Sequence, residues 1–377
     1  MRAALSRIVV LAACVPQLGC AVSHVASGHA AVARTIDADG LASVVTLADD
    51  SVYTWGDRAP TELPDSDTPW PLAELRGATQ AVLTSSRVCA LIAGHVTCLG
   101  PDLWGVVRAT DVAEIGTATA LESATFSIFA RSADDRYWRV SPCPELPPGV
   151  VVTPTCQPSL AAGLPASAIV RALFGIMLAR GGDVVMGGFQ QDGTRAQVGQ
   201  PTRPELADAI GMTRVEMSGC VLLVDTTVRC WDGRLEGWDG EVSAAVMRDP
   251  GLRNVAEVAH NGTGLALPDP NSVYCARLTD GAVWCWGSNG CGTRELIDHR
   301  TTAPSPSACT NAFFASPHQI ALPGRATRIV TGTHHACALV EDGFVYCWGS
   351  NYHGQLGDGT RVDSAEPVRV HLPGAGS

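Results

Sequence analysis

Cysteine and histidine are the residues whose types and spacing offer chemistry in this chain. Beyond Cys14 and Cys20, twelve cysteines fall as close neighbours: Cys89/Cys98, Cys143/Cys156, Cys220/Cys230, Cys275/Cys285, Cys291/Cys309 and Cys337/Cys347. Thiolate metal sites favour C-x-x-C pairs, and the chain has none. An even count at short spacings points instead to a disulfide framework in an oxidising compartment. Each closed loop of about ten residues would contribute roughly 2–3 kcal/mol by constraining the unfolded chain. His334-His335 offers imidazoles for metal ligation or base chemistry. Adjacent strand residues point to opposite faces, so the two do not share a site, and one is expected to pack beside a hairpin.

Three further stretches invite a chemical reading. Asp37-Ala38-Asp39-Gly40 starts like a calcium loop but lacks the later ligands, and reads as a polar turn. Gly354-Gln355-Leu356-Gly357-Asp358-Gly359 has the composition of a phosphate cradle, yet it follows a strand, opens no helix and contains no lysine. It reads as a turn-rich connection. Trp55, Trp231, Trp286 and Trp348 could form an aromatic ligand site, but their fixed position in a repeat marks them as wedges between packed units. Neither G-x-S-x-G nor H-E-x-x-H occurs. The expectation is therefore no catalytic residue, no cofactor-binding residue, no metal ligand and no cofactor.

Charge narrows the classes further. All 26 basic residues are arginine, against 37 acidic residues, for a net charge of −11. The absence of lysine excludes a Schiff-base lysine and the P-loop lysine. An acidic surface also argues against nucleic acid, whose binding rests on neutralising phosphates.

The elements that position these residues are hairpins. In Cys337–Trp348 the loop Glu341-Asp342-Gly343 suits a type I turn followed by glycine at positive φ. Counting outward from it sets Cys337 directly opposite Cys347, close enough to bridge. Cys275/Cys285 and Cys220/Cys230 repeat that spacing around Thr279-Asp280-Gly281 and Val224-Asp225-Thr226. Cys89/Cys98 are one residue closer, but their turn, Ala93-Gly94, is shorter, so they too end opposed. Arms such as Ala338-Leu339-Val340 and Phe344-Val345-Tyr346 are apolar without alternation, as expected of strands buried on both faces.

Seven copies of the hairpin align: Val44–Gly56, Cys89–Gly100, Phe129–Ser141, Ile176–Gly188, Cys220–Asp232, Cys275–Gly287 and Cys337–Gly349. The third is the weakest, resting on Asp134-Asp135 and Tyr137-Trp138. Repeats of small antiparallel sheets at this period predict an all-β, seven-bladed β-propeller of four-stranded antiparallel blades. Ring closure removes exposed sheet edges, and Glu366–Leu372 is expected to supply a final strand completing the ring. The stretch Cys337–Thr360, C-A-L-V-E-D-G-F-V-Y-C-W-G-S-N-Y-H-G-Q-L-G-D-G-T, resembles the regulator of chromosome condensation repeat, as does Cys275–Asn289 more weakly. The resemblance implies a seven-bladed propeller, and exported bacterial members of that family carry the paired cysteines.

The first 20 residues read as an export signal: Arg2 and Arg7, a short apolar run, then Gly19-Cys20. That run is too short to span a membrane. Cysteine parity favours lipid attachment at Cys20, with Cys14 as the alternative. Residues 21–30 form a linker and 31–377 the propeller. The longest insertions, Cys143–Cys156, Asn261–Asn271 and Cys291–Cys309, fall in loops that leave one face of the ring, where recognition loops are commonly carried. These features suggest an exported monomer of the bacterial cell envelope or extracellular space, anchored by lipid only, that binds an unknown protein or cell-surface ligand. Related propellers include a beta-lactamase inhibitor protein, so a secreted enzyme inhibitor is an alternative. A hydrolase or lyase, or a guanine-nucleotide exchange factor, would be the enzymatic and signalling alternatives. Exchange acts on a cytosolic GTPase, which an export signal disfavours. Three or more carboxylates or histidines converging at the channel mouth would favour an enzyme.

Overall fold

The computed structural model describes residues 31–57, 65–84, 87–101, 107–124, 127–140, 158–161, 166–172, 176–181, 184–186, 189–190, 206–213, 218–232, 246–261, 273–288 and 313–373. The proposed signal, Cys14, Cys20 and the Cys143/Cys156 and Cys291/Cys309 pairs lie outside the described residues.

Seven antiparallel sheets follow one another along the chain. Blade 1 comprises β1 (Ala33–Asp39), β2 (Ala42–Leu47), β3 (Val52–Gly56) and β4 (Ser66–Pro71). Blade 2 comprises β5 (Ala78–Thr84), β6 (Arg87–Ile92), β7 (His95–Pro101) and β8 (Val107–Asp111). Blade 3 is built from β9 (Ala118–Ala124), β10 (Ser127–Ser132), β11 (Tyr137–Val140) and β12 (Ser159–Ala161). Blade 4 contributes β13 (Ile169–Ala172), β14 (Ile176–Ala179) and β15 (Val184–Met186), after which β16 (Phe189–Gln190) pairs onto the edge of blade 3 beside β12. Blade 5 runs β17 (Ala209–Met212), β18 (Ser218–Leu223), β19 (Val228–Asp232) and β20 (Val246–Arg248). Blade 6 runs β21 (Val255–Asn261), β22 (Val273–Leu278), β23 (Val283–Ser288) and β24 (Phe313–Ile320). Blade 7 closes the series with β25 (Ala326–Thr331), β26 (His335–Val340), β27 (Val345–Gly349) and β28 (Ser364–Arg369).

Six sheets thus hold four strands or more, and the fourth holds three among the described residues. The expected all-β propeller of four-stranded antiparallel blades is what the sheets form; among the described residues, Phe189–Gln190 pairs onto the edge of blade 3. The third copy, weakest in sequence, is a complete hairpin whose β10 and β11 pair from Ile128↔Val140 to Arg131↔Tyr137. The first strand of each blade is innermost: β1 meets both β5 and β25, β5 meets β9, β13 meets β17, and β21 meets both β17 and β25. Blades 3 and 4 are joined where Arg131 donates to the carbonyls of Ala166 and Ile169.

The core is a set of layers between blades. Ala42, Val44, Leu75, Leu83 and Leu99 fill the layer between blades 1 and 2, and Val82, Cys98, Leu121, Ile128 and Trp138 the next. Every residue of β2 and of β26 is buried, because one face meets the preceding blade and the other the following one. Ring closure needs no shared strand. The tail supplies a final strand as expected, Ser364–Arg369 in place of Glu366–Leu372, and it is the outermost strand of blade 7. Blades 7 and 1 meet instead through a common apolar layer containing Ile36, Val45, Trp55, Val330, Leu339 and Leu356. Hydrogen bonds from Ala33 N to Gly343 O (2.9 Å) and Thr333 N to Gly40 O (2.6 Å) cross the seam.

The hairpin turns share one device. Asp49, Asp225, Asp280 and Asp342 each accept a hydrogen bond from the backbone N–H two residues on. The residue after the Asp has positive φ: Asp50 (62°), Thr226 (64°), Gly281 (87°) and Gly343 (82°). Aspartate therefore recurs at this position because its short carboxylate closes the turn locally. Bonds from the Ser51 and Thr227 hydroxyls hold the Asp49 and Asp225 carboxyls below the usual range.

Candidate functional site

The hairpin register opposes Cys89 to Cys98, Cys220 to Cys230, Cys275 to Cys285 and Cys337 to Cys347. All four pairs are disulfide-bonded, with Cα atoms 4.0, 4.0, 4.1 and 4.0 Å apart. Each disulfide faces the next blade; Cys337 and Cys347, for example, lie in the layer shared with blade 1. The tryptophans face the other way. Trp55 lies between blades 7 and 1, Trp348 between 6 and 7, and Trp286 between 5 and 6. All three are buried and are not surface ligand contacts. Nothing is described of the Trp231 side chain.

The glycine-rich stretch after β27 is a latch across the ring seam. Trp55 Nε1 donates to Gln355 O at 2.9 Å, Gly359 N to Asp67 O at 2.8 Å, and His353 Nδ1 meets Asp65 Oδ2 at 2.6 Å. The N–H groups of Gly354, Leu356, Gly357 and Gly359 are already engaged. Leu356 N donates to Asn351 Oδ1, His353 N to Gln355 Oε1 and Thr360 N to Asp358 Oδ1. Donors committed in this way cannot cradle a phosphate.

The channel end where the inner strands finish is polar. Asp37, Asp39, Thr84, Ser123, Thr213, His260 and Thr331 are all buried there. Asp37 and Asp39 belong to β1, so the expected polar turn at this position is corrected: the chain reverses at Gly40-Leu41, and both aspartates are strand residues. The Asp37 carboxylate accepts from Leu83 N (3.0 Å) and the Ser123 hydroxyl (2.8 Å), tying blade 1 to blades 2 and 3. His334 and His335 are both buried, where one had been expected to pack. His335 Nε2 lies 2.8 Å from Ser43 Oγ of blade 1. Burial, then the neighbouring His334, pushes its pKa down to about 3.

A Ser–His pair resembles a nucleophile with its base. Ser43 and His335 are nevertheless both 0% exposed, inside the seam between two blades, where no substrate reaches them. The sequence hides this pair because its members are 292 residues apart and meet only when the ring closes. Among the described residues, no three of His, Cys, Asp and Glu come together as a metal-holding group.

Fold and site together define an all-β propeller of antiparallel blades. A profile of the regulator of chromosome condensation (RCC1) repeat matches residues 272–293 and 326–355, and a second profile of the same repeat matches 342–375. The chain thus carries that repeat within residues 272–293 and 326–375, on a propeller of antiparallel blades. Among curated relatives, the mitochondrial RCC1 domain-containing protein RUG3 of Arabidopsis thaliana is 30% identical over 148 residues, 37% of this chain and 30% of RUG3. Protein pim1 of Schizosaccharomyces pombe is 32% identical over 134 residues, 35% of this chain and 24% of pim1. The chain therefore spans less than a third of either relative. Among solved structures, Prp20p of Saccharomyces cerevisiae is similar over 90% of this chain and 77% of its own, with 13% identity and a TM-score of 0.41.

Proposed function

We propose that this propeller is a non-enzymatic binding module of the bacterial cell envelope or extracellular space. In this reading it is exported, held at the membrane by lipid on Cys20, and engages a protein or cell-surface ligand through one face. The observation that carries the reading is an asymmetry of loop length. Connections between the first and second and between the third and fourth strands leave one face of the ring. On that face, the described strands end at residues 140, 232, 261 and 288 and resume at 159, 246, 273 and 313. On the other face the second-to-third turns are two to four residues, as at 93–94, 224–227 and 341–344. Long loops on a rigid scaffold are where recognition is commonly placed. The polar channel mouth lies on the same face; its buried Asp37, Asp39 and His260 form no metal-holding group of three among the described residues, and Asp37 is occupied in holding blades together.

A capture experiment tests this. Purified protein is used as bait against an envelope extract, beside a variant with residues 292–308 replaced by Gly-Ser-Gly. A second variant carries an equally disruptive substitution in the 224–227 turn. Partner recovery is expected to fall in the first variant only. Equal recovery from all three proteins would overturn the loop-face reading.

A further inference from the structure

We propose that the channel between blades 5, 6 and 7 binds a carboxylate, with Arg328 as its anchoring cation. The inference rests on the loop-face reading and names what a partner brings to it: the side-chain carboxylate of an Asp or Glu inserted from a loop. The inner strands β17, β21 and β25 line a partly open cavity of about 50 Å3 with Thr213, Glu257, His260, Thr331 and the half-exposed Arg328 among others. That volume holds roughly four water-sized groups, enough for a carboxylate and too little for a ring.

In two blades the third residue of the inner strand clamps the next blade, and in blade 7 it does not. In blade 2 it is Gln80, whose amide donates to Leu121 O (2.8 Å) and accepts from Leu121 N (2.9 Å) of blade 3. In blade 6 it is Glu257, whose carboxylate accepts from Ile329 N of blade 7 at 3.1 Å. Blade 7 places Arg328 there, and no such clamp to blade 1 forms. Its interaction is with Glu257 at 3.5 Å, and it makes no hydrogen bond among the described residues. Glu257 is meanwhile held more closely by Arg277, at 3.1 Å. Two guanidinium groups facing one carboxylate leave one positive charge over, in a chain whose net charge is −11.

Hydroxyl donors line the same cavity as that charge. Thr213 Oγ1 accepts from Cys220 N at 2.8 Å and keeps its own proton to donate. The Thr331 hydroxyl has no hydrogen-bond partner among the described residues. An incoming carboxylate thus finds a planar fork with free donors and two hydroxyls. Bidentate, charge-assisted recognition of this kind suits Arg far better than a point charge.

Saturation-transfer NMR on the purified protein at pH 7 tests the site, with three probes: acetate, the blocked tripeptide Gly-Glu-Gly and its Gly-Gln-Gly counterpart. Acetate and the Glu peptide are expected to bind saturably, the Gln peptide not at all. Tighter binding of the peptide than of acetate would assign the site to a protein side chain; the reverse would assign it to a free small carboxylate and overturn the partner reading. Arg328→Gln should weaken binding by about ten- to a hundredfold, the span of a charge-assisted hydrogen bond. Arg328→Lys should lie between and decides the matter if the Gln variant does not fold. Equal transfer from the Glu and Gln peptides, or unchanged affinity in both variants, would overturn the proposal. The loop-excised protein separates the two readings. Loop-dependent capture without carboxylate binding overturns this site alone; carboxylate binding without loop-dependent capture overturns the loop-face reading alone.

Discussion

Acid should loosen the seam between blades 7 and 1, and His335 makes the effect calculable. Its imidazole is fully buried against Ser43, and its pKa is pushed down to about 3 from an ordinary 6.5. A group that binds its proton more weakly when folded stabilises the fold above the unfolded pKa and withdraws that stability as pH falls. The loss begins near pH 6.5, where the exposed imidazole starts to protonate, and ends near pH 3. Its slope is about 1.4 kcal/mol per pH unit, so roughly 2 kcal/mol is gone by pH 5 and about 4–5 kcal/mol by pH 3. The turn aspartates Asp49, Asp134 and Asp225 have carboxyls held below 3.8, so their own loss falls at lower pH and leaves 5–6.5 to histidine.

Hydrogen exchange reads the seam directly, since local opening needs no global unfolding. Peptides covering residues 41–47 and 333–340 should exchange about tenfold faster for each pH unit below 6.5, after correction for intrinsic rates. The His335→Gln variant keeps a polar partner for Ser43 and cannot titrate, so the difference between the two proteins isolates this ring. Parallel profiles in wild type and variant between pH 5 and 6.5 would refute the reasoning, since they would mean that the ring is hydrated in the folded state.

Other perturbations follow from the same contacts. Asp37→Ala leaves Leu83 N and the Ser123 hydroxyl without their acceptor and should cost about 2–4 kcal/mol in urea unfolding; Asp37→Asn should cost less. Gly357→Ala forces a Cβ to within 2.9 Å of the Trp55 ring at a φ of +66°, and should destabilise by about 1–3 kcal/mol, read as a lower melting temperature. Replacing Cys337 and Cys347 together by Ser should cost roughly 2–3 kcal/mol, and added reductant should then lower the variant's stability less than wild type's. Gln80→Ala removes the clamp on Leu121 and should speed exchange in β9 more than in β25, measurable by the same exchange experiment.

Much of this architecture is readable from the chain because its determinants are local. A strand's side chains alternate with period two, so a turn of known length sets which residues oppose each other; Cys337 meets Cys347 for that reason alone. Asp342-Gly343 closes its turn with atoms from neighbouring residues, and the copies at Asp280-Gly281 and Asp225-Thr226 do the same. Unbroken apolar arms announce burial on both faces, and repetition of these units announces a ring. The place of Phe189–Gln190 escaped that reading because Ile176–Gly188 shows a hairpin but carries no signal for which sheet the next strand joins.

The residues with the most distinctive environments were settled by closure of the ring. Ser43 and His335, or Asp37 and Ser123, share no local pattern, and nothing in their spacing links them. Arg328 looks like any other strand arginine until Glu257 is found already held by Arg277. Sequence therefore determined the hairpins, their register and their repetition, which depend on interactions a few residues long. Which polar side chains ended up sealed, clamped or left with donors to offer was decided only when strands far apart in the chain came to face one another across a blade.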